Sequence, residues 1–69
     1  MRIRYDEKNN AMYIRFSEEK YFESDEIKEG FIVDYNKEGQ VIGLEILVSE
    51  NLPKEAFTQI TFETAKAIA

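Results

Sequence analysis

Two acids stand where a pair of strands would hold them together. Asp34 lies in Phe31-Ile32-Val33-Asp34-Tyr35 and Glu45 in Val41-Ile42-Gly43-Leu44-Glu45-Ile46-Leu47, on either side of Asn36-Lys37-Glu38-Gly39. Carboxyl groups whose pKa values are driven apart divide acid and base work between them, so this pair is the candidate for a small acid/base enzyme. The plainer reading makes them solvated face residues or partners of Arg2, Arg4 or Arg15. It is favoured because a 69-residue chain has little room for a pocket of the usual roughly 300–1,000 Å³. A second set, Arg2, Arg4, Tyr13 and Arg15, has the residue types of a nucleic-acid stripe with an aromatic platform. A net charge of −5 argues against it, since phosphate binding rests on neutralisation by many Lys and Arg. A third set, Glu23, Asp25, Glu26 and Glu29, offers oxygens to Ca²⁺ or Mg²⁺ without the glycine-centred spacing of an EF-hand loop. Protection of a sheet edge is its better reading.

The chain contains neither histidine nor cysteine. It therefore lacks the usual imidazole base, the thiol nucleophile and the preferred ligands of zinc, copper and nickel. No catalytic, cofactor or metal residue is assigned, and a non-catalytic chain is expected. Without disulfides, a membrane-length apolar run or a signal-peptide core, the expected location is cytoplasmic. Charge is unevenly spread: residues 1–16 hold four bases and two acids, residues 17–30 six acids and two bases, and residues 31–69 six acids and three bases.

The elements that must position these groups are mostly strands. The stretch Phe31 to Leu47 reads as a β-hairpin, with Asn36 opening the turn and Gly39 where a positive φ is needed. A three-residue loop pairing Asn36 with Gln40 would set Phe31 opposite Glu45 and Asp34 opposite Ile42, which buries poorly. A four-residue loop pairs Tyr35 with Gln40, Val33 with Ile42 and Phe31 with Leu44, and is preferred. It groups Phe31, Val33, Tyr35, Ile42, Leu44 and Ile46 on one face and leaves Ile32, Asp34, Val41, Gly43, Glu45 and Leu47 on the other. A second hairpin pairs Tyr5 with Met12 and Ile3 with Ile14. Tyr21 to Ile27 is a weak, acid-loaded edge strand. After Ser49-Glu50-Asn51, Pro53 suits the first turn of a helix. Beyond it, a bend or extended piece is expected near residues 59–63, with residues 64–69 helical or frayed. The expected fold class is α+β: an antiparallel sheet of four to five strands in a hairpin meander, with a short C-terminal helix, in a single small domain spanning residues 1–69.

Tyr5-Asp6, Ala11-Met12-Tyr13-Ile14, Ser17, Gly30-Phe31-Ile32-Val33-Asp34-Tyr35, Gly39 and Gly43-Leu44-Glu45-Ile46-Leu47 together resemble the small bacterial and archaeal proteins of domain-of-unknown-function family 2283. The resemblance covers about residues 2–48 and is most specific at the Gly43–Leu47 ending. It implies a short, stand-alone chain, with some members beside toxin-like genes and so antitoxin-like in role. It supplies no catalytic residue. Asn10 stands where the family pattern usually carries Asp, which weakens any carboxylate role for that loop.

The expected function is a protein–protein interaction module, either a homodimer or an acidic, antitoxin-like partner of a basic protein. The candidate interaction surface is Ile32, Asp34, Val41, Glu45 and Leu47, on the hairpin's incompletely polar face. The acid/base enzyme and the arginine-rich nucleic-acid face stand as alternatives. No membrane, small-molecule substrate or cofactor is expected among its partners.

Overall fold

A computed structural model describes residues 1–47, 52–53 and 55–66. Five strands form one antiparallel sheet: β1 (Arg2–Asp6), β2 (Ala11–Arg15), β3 (Glu23–Lys28), β4 (Phe31–Tyr35) and β5 (Val41–Ile46). Their spatial order is β1-β2-β5-β4-β3. The expected hairpin meander is therefore incorrect, because β2 lies beside β5 and not β3. The cause is charge. β3 carries Glu23, Asp25, Glu26 and Lys28 and is exposed along its whole length, so it belongs at an edge. β5 has one charged residue in six and sits at the centre, where both of its ladders are paired.

The first hairpin has the expected register, Ile3 opposite Ile14 and Tyr5 opposite Met12. Its turn is built by Asp6, whose carboxylate accepts the Asn9 backbone N–H at 3.2 Å and the Asn9 side-chain amide at 2.8 Å. Asn10 takes a φ of 51°, a conformation that Asn tolerates better than most residues, and its Oδ1 accepts the Tyr5 hydroxyl at 2.8 Å.

The second hairpin corrects the expected pairing. Its loop has three residues: the Asn36 N–H donates to the Gln40 carbonyl at 2.9 Å, and Gly39 takes a φ of 81°. Asn36 Oδ1 also accepts the backbone N–H groups of Glu38 and Gln40, which explains why so polar a side chain is buried. Taken alone, this loop would carry the hydrophobic set to the wrong side. A β-bulge prevents that. Tyr35 pairs with Val41 but Asp34 pairs with Gly43, leaving Ile42 as the extra residue. Val33 then faces Leu44 and Phe31 faces Ile46, two positions beyond the expected partners, with the apolar grouping kept. Ile42 is 2% exposed, and its carbonyl accepts the N–H groups of Phe16 and Ser17.

No helix occurs among the described residues, so the fold is all-β and the α+β expectation is overturned. Among the described residues after β5, the Ala56 N–H donates to the Pro53 carbonyl and the Thr58 N–H to the Glu55 carbonyl, each at 3.1 Å, which are isolated tight turns. Residues 59–66 have no regular structure. A short helix needs an apolar stripe with something to pack on. Here Thr58, Ile60, Thr61 and Thr64 are β-branched, and Phe62 is 86% exposed. Ser49, Glu50 and Asn51, ahead of the expected helix, and residues 67–69 of the expected helical or frayed end lie outside the described residues.

The buried hydrophobic core among the described residues is Met12, Val33 and Ile42. The molecule measures 37 × 33 × 19 Å, a slab one sheet thick.

Candidate functional site

Strand alternation sorts the side chains onto two faces. On the polar face, the β2–β5 ladder sets Tyr13 beside Glu45 and Arg15 beside Gly43, while the β4–β5 ladder sets Asp34 beside Gly43 and Ile32 beside Glu45. Gly43 is thus a gap in the middle of the face. Across it, the Tyr13 hydroxyl donates to Asp34 Oδ2 at 2.8 Å. A Cβ at Gly43 would lie 3.0 Å from that hydroxyl and 3.4 Å from Asp34 Oδ2, so space, not φ, calls for glycine here.

Asp34 is 3% exposed. Burial raises the Glu45 pKa above its ordinary value; the like charge of Asp34 and the hydrogen bond Glu45 makes to Asp34 when protonated raise it further. Burial also raises the Tyr13 hydroxyl, and its hydrogen bond to Asp34 adds to the effect. The Arg15 guanidinium lies 5.9 Å from the Tyr13 ring centroid and donates through Nε to the Ser17 carbonyl at 3.2 Å. Beside this cluster opens a concavity of about 630 Å³, lined in part by Arg2, Arg4, Tyr13, Arg15, Glu45 and Leu47.

The expected acid pair is therefore brought together, with Ile32 adjacent. Val41 is not: the bulge pairs it with Tyr35, a residue of the opposite face. Leu47 lies just past β5 on the rim of the concavity. Tyr13 was expected as part of an arginine stripe, not as the donor to Asp34; the sequence signal for that role was a glycine in mid-strand between the two acids. The arginine stripe does assemble, because the β1–β2 ladder pairs Arg2 with Arg15 and Arg4 with Tyr13. Glu18 partly neutralises it, through a two-pronged bond to Arg2 at 2.8 and 3.0 Å and a 3.8 Å approach to Arg15. The four edge acids do not converge. Glu23 and Asp25 pair with Tyr35 and Val33, whereas Glu26 pairs with Ile32 on the other face. Among the described residues no group of three acids is placed to hold a metal ion.

The opposite face is apolar across four strands: Ile3 and Tyr5 on β1, Met12 and Ile14 on β2, Leu44 and Ile46 on β5, and Phe31, Val33 and Tyr35 on β4. The chain beyond β5 returns at the Tyr5 end, where the Phe57 ring lies 5.5 Å from that of Tyr5. Elsewhere the face is incompletely covered, and Ile3 is 47% exposed. The chain exposes 6064 Å² in all, whereas a folded monomer of 8.1 kDa is expected to expose about 4,500 Å².

A family model described as "Protein of unknown function (DUF2283)" matches residues 2–49, a span that includes all five strands. No curated protein and no solved structure matches the chain.

Proposed function

The chain belongs to the DUF2283 family of proteins of unknown function, and from that premise we propose that it is a protein–protein interaction module whose apolar sheet face docks another polypeptide. One observation carries this reading: the exposed area exceeds that expected of a monomer of this mass by about 1,600 Å², about twice the roughly 800 Å² that each partner contributes to a standard protein interface. A lone sheet with three buried apolar side chains has too little core to stand far above its unfolded state. A second layer over Ile3, Tyr5, Ile14 and Leu44 would supply the missing burial. The polar face suits docking less well, because Asp34 is covered by its own chain and already bonded to Tyr13. The acid/base reading draws less support, because the concavity takes in Glu45 without Asp34.

The test is the mass of the protein in solution, alone and with the purified product of a neighbouring gene. Assembly that is lost on Ile14→Glu, in a variant that keeps its β-sheet circular dichroism, is the expected result. A chain that remains at its own mass at millimolar concentration, alone and in the mixture, overturns the proposal.

A further inference from the structure

We infer that the concavity on the polar face is a binding site for a small organic acid, with the anionic group on Arg4 and the body of the molecule against the Tyr13 ring and Leu47. The site is on the side of the sheet opposite the apolar face and stands apart from the interaction reading. The concavity measures about 630 Å³, within the roughly 300–1,000 Å³ of small-molecule sites. Three rows of cross-strand neighbours form it. The first row is Arg2, Arg15 and Gly43, and the second is Arg4, Tyr13 and Glu45. The third is Asp6 and Ala11, with Leu47 alongside just past β5. One end is thus cationic, while at the other the short Ala11 side chain leaves the row unfilled.

A charge inventory selects the ligand. Arg2 stands directly opposite Arg15, with Arg4 on the diagonal, and like charges so placed are disfavoured unless anions lie among them. The acids nearby are already engaged. Glu18 is bonded twice to Arg2 and approaches Arg15 at 3.8 Å. Asp6 commits both carboxylate oxygens to Asn9. Glu45 is engaged with Asp34, to which it donates a hydrogen bond when protonated. Arg15 in turn donates to the Ser17 carbonyl. Arg4 has neither an ion pair nor a side-chain hydrogen bond among the described residues. Its guanidinium offers a planar fork of N–H donors that matches a carboxylate or a phosphate.

The wall beside Arg4 suits an apolar body. The Tyr13 ring is held at its hydroxyl by Asp34 and flanked by the Arg15 guanidinium, so it is fixed before any ligand arrives. Leu47 and Ala11 continue the apolar surface away from the arginines. A nucleic-acid strand fits less well. Its backbone needs a run of cations, whereas here three arginines share one concavity with Glu45 and Asp6 in a chain of net charge −5.

The experiment titrates the full ¹⁵N-labelled chain with benzoate, phenyl phosphate and inorganic phosphate, and with benzylamine as the cation of similar body, following amide chemical shifts. Benzoate or phenyl phosphate is expected to give saturable shifts at Arg4, Tyr13 and Leu47 at about millimolar concentration. The tighter of the two identifies the anionic group. Arg4→Gln, at an exposed position where circular dichroism should be unchanged, weakens binding about 10- to 100-fold. Arg4→Lys keeps the charge without the fork and recovers part of the loss. Inorganic phosphate binding as tightly as phenyl phosphate overturns the organic ligand. Benzylamine binding as tightly as benzoate, affinity unchanged in Arg4→Gln, or no saturable shift by about 20 mM overturns the site. Salt-sensitive binding of oligothymidylate at lower concentration than either acid gives the face to nucleic acid and overturns the inference. None of these outcomes touches the apolar-face reading, which is tested separately by Ile14→Glu.

Discussion

Gly43→Ala probes the polar face at its one vacant position. The residue does not need glycine's backbone freedom, because the chain's positive-φ glycines are Gly30 and Gly39. Alanine would therefore gain about 0.4–1 kcal/mol by restricting the unfolded chain. Against this, its Cβ would sit 3.0 Å from the Tyr13 hydroxyl, a contact that displaces the hydroxyl from Asp34 Oδ2. A hydrogen bond to a buried charged acceptor contributes about 1.5–3 kcal/mol. The net expectation is a loss of about 1–2 kcal/mol, which in a small domain lowers the urea midpoint by about 1 M or more. The decisive comparison is the same substitution in a Tyr13→Phe background. With the hydroxyl gone, the 3.0 Å contact disappears and Gly43→Ala becomes neutral or mildly stabilising. Urea unfolding followed by circular dichroism on the four proteins gives the coupling directly. Equal costs in the two backgrounds would show that the gap at Gly43 does not exist for the Tyr13–Asp34 bond.

Glu45→Gln tests the raised Glu45 pKa. Because the folded carboxyl holds its proton above the ordinary value of 4.5, wild-type stability falls as pH rises through the window just above that value. Gln cannot ionise, so the variant gains stability at neutral pH and loses the advantage below about pH 4, as thermal melts across pH would show. Ile42→Ala removes most of a side chain that is 2% exposed and is expected to cost about 2–5 kcal/mol, leaving the chain largely unfolded by circular dichroism. Asn36→Ala removes the acceptor of two loop N–H groups and is expected to cost about 1–2 kcal/mol. An amide-exchange experiment would find the loss first at Glu38 and Gln40.

Local pattern carried the strands, and combinations of local features misled. The Ile3–Ile14 and Tyr5–Met12 pairs follow from alternation alone, because both strands are regular. In the second hairpin, the structure takes the three-residue Asn36–Gln40 loop that the burial argument disfavours, together with the face grouping of the four-residue alternative. The loop follows the turn chemistry of Asn36 and Gly39, and the bulge at Ile42 restores the burial that this loop would otherwise have spoiled. A bulge leaves no mark in an alternating sequence, so the face was legible and the partners were not. The place of β2 beside β5 is a long-range choice, made by which strand can tolerate an exposed edge. The C-terminal helix is absent from the described residues because a proline suited to a first turn permits a helix without supplying a surface to hold it. At the polar site, Asp34 and Glu45 share the expected face, but the expected register sets Asp34 opposite Val41, and it is the bulge, by moving Gly43 opposite Asp34, that brings the two acids close. The part played by Tyr13 depends on a diagonal reach over Gly43, which becomes visible only once β2 is known to flank β5.

The central claim is that one sheet layer is incomplete until its apolar face is covered by another polypeptide. Its most direct measurement is the urea midpoint of the wild-type chain over a hundredfold range of protein concentration, alone and mixed in equal amount with the product of a neighbouring gene. An assembly that unfolds to separate chains predicts a midpoint rising with concentration by about 1 M over that range. A midpoint independent of concentration, with a stability well above the roughly 3–5 kcal/mol of a lone small core, would contradict it.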